Sequence, residues 1–361
     1  MNIEVSKKNI KETRTRNEDV PSLSPDQIRV AIESFGLTSN NITYAVMGDL
    51  MNYWQFFPVP EPDTALWGQV PIWGFAHVSE SMVEELEVGT KIFGYFPMAE
   101  SFVMTPGRLD ETGFSDEAIH RSKLPTVYNR YAYTTKDPLY SEAGEGTLML
   151  LRPLFITSFV VDDFIVDNNF FGARTMLISS ASAKTAIAAA FLLAERDDIK
   201  VVGLTSEGNL DFVNGLSCYD EVLTYDHIEE LKGEDVVYID VAGRRDVTHK
   251  IHHHYGDHLK YSMIVGDTHW DNEEFLPGSI PGPRPTLLFA PVQIAKRRTD
   301  WGRDAFEEKV ADAWHRFLGW TNAWLKVESV AGADEITATY GDLLDGRIDP
   351  SVGHVCRFLD A

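Results

Sequence analysis

Between Met176 and Thr185 the chain passes from a short apolar β-type run (Met176 to Ile178) through small residues (Ser179 to Ala183) to Lys184-Thr185. Those two open an alanine-rich, strongly helix-forming segment that continues to Arg196. A strand, a tight turn and a helix start form a ready anion site: unpaired backbone N–H groups face the ligand, and the helix dipole favours negative charge. In dinucleotide-binding turns three glycines permit the turn, the approach of the pyrophosphate and helix–strand packing. Here those places are held by Ser180, Ala183 and Ala186, so each added Cβ narrows the approach. Lys184 either supplies a point charge to a phosphate or fills the site with its own chain. With no ligand, the same residues make an alanine-rich core helix after a buried strand.

A second group with chemical potential is the histidine cluster His249, His252, His253, His254 and His258. On a helix, His249/His253 and His254/His258 are i,i+4 pairs, a spacing that can share a metal. Only Asp257 lies inside the cluster to complete a shell, so a solvated polar face is the expectation. The two cysteines, Cys218 and Cys356, make neither a disulfide framework nor a CxxC pair. Lys296, Arg297, Arg298 and Arg303 form the one concentrated basic patch, read as helix-terminal solvation or as an anion site.

The elements that must position the turn follow in order. Lys200 to Leu204, Asp235 to Val241 and Tyr261 to Gly266 are short apolar strands separated by helix-compatible stretches, which outlines a doubly wound parallel sheet. Upstream, Ile28 to Phe35 alternates apolar and polar residues as a half-buried strand does, and Lys91 to Phe96 and Ser101 to Thr105 are further β-type runs. The aromatics Tyr44, Tyr53, Trp54, Phe56, Phe57, Trp67, Trp73, Tyr95 and Phe96 read chiefly as packing. Downstream, Pro277 to Pro285 is a loop, TLLFAP reads as a strand, and Phe306, Val310, Ala313, Trp314, Phe317 and Leu318 form one helical stripe.

The 361 residues suit two domains, and a net charge of −23 argues against nucleic acid or an anionic membrane as partner. No apolar h-region opens the chain and no run of 18 apolar residues occurs in it, so a cytoplasmic protein is expected.

The order of segments resembles a known superfamily. A strand followed by GLTSNN, then VPIWGFAHV, then VGTKIFGYFPMAESFVMTP, then the βα turn, is similar to the medium-chain dehydrogenase/reductases. SEGNLDFVNGLSCYDEVLTYD resembles the segment after their second nucleotide-domain strand, and YGDLLDGRIDPSVGHVCRFL their closing helix, glycine turn and strand. The likeness is closest to the zinc-free quinone-oxidoreductase branch and an uncharacterised domain-of-unknown-function family beside it. It implies an α/β fold in which a discontinuous GroES-like β domain (1–150 and 290–361) carries the substrate and a Rossmann-type domain (151–289) carries the dinucleotide. A homodimer is implied by the resemblance alone.

For the site, the resemblance implies the following. The positions of the family's zinc ligands match Thr38, Phe75 and Ala76, which cannot form a Cys/His/Glu shell, so no metal is expected. The second strand of the nucleotide domain ends Leu204-Thr205-Ser206, with Glu207 one place later. Hydroxyls in place of an acid favour a 2′-phosphate, hence NADPH over NADH. The Lys or Arg that NADPH-using relatives add nearby is matched by Asn209. Val241-Ala242-Gly243 and Gly266-Asp267 end later strands at the edge where a nicotinamide would lie, or are ordinary turns. A tyrosine donor of some relatives matches Tyr44, with Thr43 competing for the alignment and Tyr53 and Tyr95 as further candidates. Two functions follow: a zinc-independent, NADPH-dependent reductase of a small enone or quinone, or a degenerate relative without cofactor that acts as a binding or scaffold protein.

Overall fold

A computed structural model describes residues 1–17, 21–231, 234–265, 280–288 and 290–358. The chain divides into two compact units, Met1–Leu150 with Leu325–Ala361, and Leu151–Trp324.

The first unit opens with strands β1 (Asn2–Ser6), β2 (Thr13–Arg16) and β3 (Ile28–Leu37), helix α1 (Ser39–Val46), and strands β4 (Trp67–Gly68), β5 (Pro71–Ser81), β6 (Lys91–Pro97), β7 (Ser101–Met104), β8 (Pro106–Asp110), β9 (Gly113–Asp116) and β10 (Arg130–Tyr133). Helix α2 (Glu145–Asp167) leads into the second unit. That unit holds β11 (Thr175–Ile178), α3 (Lys184–Ala194), β12 (Lys200–Thr205), α4 (Leu210–Gly215), β13 (Glu221–Thr224), β14 (Val236–Asp240), α5 (Arg245–Tyr255), β15 (Leu259–Ile264), β16 (Thr286–Leu287), α6 (Ala290–Trp301) and α7 (Arg303–Thr321). The chain closes with β17 (Lys326–Ala331), α8 (Ala333–Leu344) and β18 (Val352–Arg357).

In the first unit the large sheet has the order β17-β18-β3-β5-β6-β10-β9-β8, with β7 also paired to β3. The alternating pattern of β3 has its physical counterpart: Ile28, Val30 and Ile32 are buried, while Arg29, Ala31 and Glu33 are half-exposed. The closing strand β18 lies antiparallel to β3, with Cys356 opposite Phe35, and both side chains join one core with Phe56, Phe57, Tyr95 and Phe96.

The second unit is a six-stranded sheet in the order β13-β12-β11-β14-β15-β16, every pair parallel. Its central strand shows the period of two expected of a strand buried on both faces. Met176 and Ile178 pack with Ala186, Ala189 and Ala190 of α3, whereas Leu177 packs with Val202, Tyr238 and Ile251 on the other side. Strands, parallel register and covering helices make this an α/β protein with a Rossmann-type sheet.

Three expectations are corrected downstream. TLLFAP contributes only the two-residue β16, because Ala290-Pro291 already begins α6, where a first-turn proline needs no N–H partner. The switch between units falls at Leu325, not at residue 290. The stripe of α7 explains this: Trp314 and Phe317 meet Phe155 of α2 at ring separations of 5.3 and 5.0 Å, and Phe317 meets Phe191 of α3 at 5.4 Å. The basic patch is not an open anion site. Arg297 is buried and paired with Asp163 (2.7 Å) and Asp167 (2.9 Å), Lys296 reaches Asp167 at 2.7 Å, and Arg303 reaches Glu307 at 2.9 Å.

Candidate functional site

The turn after β11 is held from both sides. The Ser179 N–H donates to Ile239 O (3.1 Å) and the Ala181 N–H to Leu204 O (2.9 Å), which extends the parallel ladder past the strand end. Ser180 then takes a left-handed backbone, φ 53°, at a place where glycine carries no steric cost. Three side chains from the neighbouring strand ends fasten the turn. Tyr225 OH accepts the Ser180 N–H at 2.9 Å, Tyr219 OH donates to Ala181 O at 2.9 Å, and Asn209 Nδ2 donates to Ser182 Oγ at 3.0 Å. The glycine that makes room for this lies on β12: a Cβ on Gly203 would come within 2.9 Å of Ala181 Cβ and of the Tyr219 ring.

Ala183 is the N-cap of α3 and offers no side-chain hydrogen bond to the helix start. Lys184 and Thr185 are its half-buried first residues, and the Thr185 carbonyl accepts Ser158 Oγ–H at 2.8 Å. Ala186 is fully buried and packs the helix onto the sheet, so of the three small positions it is Ser180 and Ala183 that belong to the turn itself.

Next to the turn, the end of β14 is built around a buried carboxyl. Ser179 Oγ donates to Asp240 Oδ1 (2.8 Å) and accepts the N–H groups of Val241 and Ala242, each at 3.0 Å. Asp240 also accepts Gly243 N–H (3.0 Å) and Thr248 Oγ–H (2.9 Å). Burial pushes the Asp240 carboxyl above its ordinary value against the pull of these bonds. Val241, Ala242 and Gly243 thus follow the carboxyl end of β14, with their N–H groups engaged by Ser179 and Asp240. Gly266 and Asp267 lie outside the described residues.

Beside this edge runs a groove of about 310 Å³ lined by Ser206, Glu207, Thr224, Tyr225, Asp226, Arg244, Asp246 and Lys250. Arg244 Nη2 pairs with Asp246 at 2.6 Å, and its guanidinium lies 5.0 Å from the centre of the Tyr225 ring. Lys250 has no ion pair among the described residues. Thr205 is buried, so of the two hydroxyls at the end of β12 only Ser206 faces the groove. Sequence reading missed Tyr225, Arg244 and Lys250. Local spacing carries no signal that brings the ends of β13 and β14 together with α5.

The histidines separate into unlike environments. His249 and His253 stack at 3.9 Å on α5. His252, expected on a solvated face, is buried: its Nδ1–H donates to Pro281 O (2.8 Å), its Nε2 accepts the Ser262 hydroxyl (3.0 Å), and burial holds its pKa below the usual value. His258 lies beyond the end of α5 and meets Asp235 at 2.9 Å, so it makes no helical pair with His254. Among the described residues, no group of three or more His, Cys, Asp or Glu is placed to hold a metal ion.

In the first unit Tyr44 is only 4% exposed, and its hydroxyl accepts Asn40 Nδ2–H (2.7 Å) and Trp73 Nε1–H (3.1 Å). Its ring meets those of Tyr53 (4.6 Å) and Tyr95 (5.4 Å), and burial drives its pKa far upward. Thr38 caps α1, its N–H donating to Asn41 Oδ1 at 2.7 Å, while Phe75 and Ala76 are fully buried. None of the described helices is long and apolar enough to cross a membrane.

A family model described as a protein of unknown function (DUF2855) matches residues 35–349. Curated proteins yield no match in sequence. Among solved structures, CurA from Vibrio vulnificus in complex with NADPH is similar with a TM-score of 0.61 at 11% identity, covering 97% of this chain and 95% of that one. The quinone oxidoreductase from Coxiella burnetii gives 0.55 at 14%, covering 99% and 98%. YhdH of E. coli K-12 with bound NADPH gives 0.54 at 13%, covering 99% and 100%. At these identities the likeness is one of fold, that of medium-chain dehydrogenase/reductases with GroES-like and Rossmann-type domains.

Proposed function

The chain belongs to the DUF2855 family, and from that footing we propose that it is an oxidoreductase that uses NADPH to reduce a small enone or quinone without zinc. One observation carries the reading. Along a single carboxyl edge of the parallel sheet, an uncapped helix start at Ala183–Thr185 adjoins a groove whose lining sets two cations, Arg244 (paired with Asp246) and Lys250, beside the carboxylates Glu207, Asp226 and Asp246. Those features suit two parts of NADPH: the pyrophosphate, which NADH shares, for the helix start, and the 2′-phosphate monoester, which distinguishes NADPH, for the cations of the groove. Asn209, which stands where a cation was sought, is committed to Ser182, and the charge comes from α5 and the residue before it instead.

When bound, the cofactor supplies the hydride. The chain's residues bind and orient it: Lys184 at the helix start, Ser206, Arg244 and Lys250 in the groove, and Val241 to Gly243 at the next strand end. Tyr44 is the candidate donor to the enolate oxygen. Its oxygen already accepts two N–H bonds, which leaves its own O–H to donate, and its raised pKa keeps that proton in place at neutral pH. The test is titration with NADPH and NADH followed by nicotinamide fluorescence. NADPH binding that is tighter than NADH binding is expected. No binding of either at millimolar concentration decides for a cofactor-free binding or scaffold protein.

A further inference from the structure

We propose that Tyr225 is a positioning residue that holds the phosphate turn in its binding geometry through Ser180 and, with its ring, sets Arg244 in the neighbouring groove. This rests on the dinucleotide reading above. Ser180 is a β-carbon-bearing residue with φ 53°, and such a residue relaxes to negative φ unless the surroundings hold it. The Ser180 N–H is not engaged by a backbone carbonyl as those of Ser179 and Ala181 are; its partner is the Tyr225 hydroxyl at 2.9 Å. Tyr225 directly follows β13, the outermost strand of the sheet, so its bond reaches past β12 to the turn after β11. The other face of its role is the ring: the Arg244 guanidinium lies 5.0 Å from the ring centre while its nitrogens face Asp246. One side chain therefore touches both anion-binding features of the edge. The hydroxyl acts on the turn, which every dinucleotide uses. The ring acts on Arg244, which serves only a ligand with a 2′-phosphate.

The experiment is a cycle read by affinities for NADPH and NADH. Tyr225→Phe keeps the ring and loses one hydrogen bond, so both affinities should fall together by about 3- to 10-fold. In a Ser180→Gly background the same change should cost about 2-fold or less, because glycine populates positive φ about as readily as negative φ. Tyr225→Leu should add a further loss for NADPH alone. Equal affinities in parent and Tyr225→Phe overturn the inference, as does tighter binding in the variant, which would make the hydroxyl a competitor of the ligand. A loss that Ser180→Gly does not absorb overturns it too, since the hydroxyl would then touch the ligand directly. If Tyr225→Leu loses no more NADPH affinity than Tyr225→Phe, the ring arm is wrong. Parent protein that binds neither dinucleotide removes the reductase reading and this inference together; every other outcome bears on Tyr225 alone.

Discussion

Ser179 and Asp240 face each other across the adjacent parallel strands β11 and β14, hydroxyl to carboxylate at 2.8 Å. Through that one hydroxyl, which also accepts the N–H groups of Val241 and Ala242, the turn after β11 and the end of β14 become a single hydrogen-bonded assembly. A buried carboxyl is costly to desolvate, and the three donors from Ser179, Gly243 and Thr248 offset only part of that cost, hence its upward-shifted pKa.

Removing the carboxyl leaves buried donors unpaired, so Asp240→Ala should lower unfolding free energy by about 2–4 kcal/mol. Asp240→Asn should be milder, because the Thr248 hydroxyl has a second acceptor in Arg244 O at 3.2 Å. The pH dependence has a definite sign. The folded value lies above the unfolded one, so the native state binds more protons in the window between them, and stability is lost as pH rises through the folded value. Urea midpoints at pH 4 and pH 7 should therefore show the parent losing stability relative to Asp240→Asn; parallel behaviour of the two proteins would count against it.

Gly203 carries the space that the glycine-free turn lacks. Gly203→Ala places a methyl 2.9 Å from Ala181 Cβ and 2.9 Å from the Tyr219 ring. Both neighbours are tied into the turn, so the variant should lose about 1–3 kcal/mol by thermal or urea unfolding. A variant as stable as the parent would mean that the turn yields freely.

Arg244→Ala should weaken NADPH roughly 10-fold and leave NADH within about 2-fold, and Lys250→Ala should behave likewise. The parent's NADPH affinity should also fall more steeply with added salt than its NADH affinity. Equal losses for both dinucleotides would move the 2′-phosphate elsewhere.

At the start of α3, Lys184→Ala should weaken either dinucleotide by roughly 10- to 100-fold, the worth of a charge-assisted contact. Tighter binding in the variant would instead identify Lys184 as a plug of the site.

On the proposed function, exhaustive chelation should leave any reductase activity unchanged. Thr38 is a helix cap and Phe75 and Ala76 are core residues, so the places of a catalytic zinc shell are occupied by other work. Activity lost on chelation and restored by zinc would refute this.

What the sequence determined is what nearest neighbours encode. The run from Met176 to Arg196 specifies strand, turn and helix because apolar, small and helix-forming residues succeed one another at their natural periods. The alternation of Ile28 to Phe35 fixed which face of β3 is buried, and the later apolar runs fixed a parallel sheet. What the tertiary structure decided are the pairings between residues far apart in the chain. Ser180 and Tyr225 meet only because β11, β12 and β13 align in parallel register. Arg297, read as exposed charge, is buried because α2 presents Asp163 and Asp167 to it, and His252 is buried because Pro281 O accepts its Nδ1–H and the Ser262 hydroxyl donates to its Nε2. A polar side chain is solvated or buried according to whether a partner reaches it, and one-dimensional spacing is silent about partners supplied by another strand or helix.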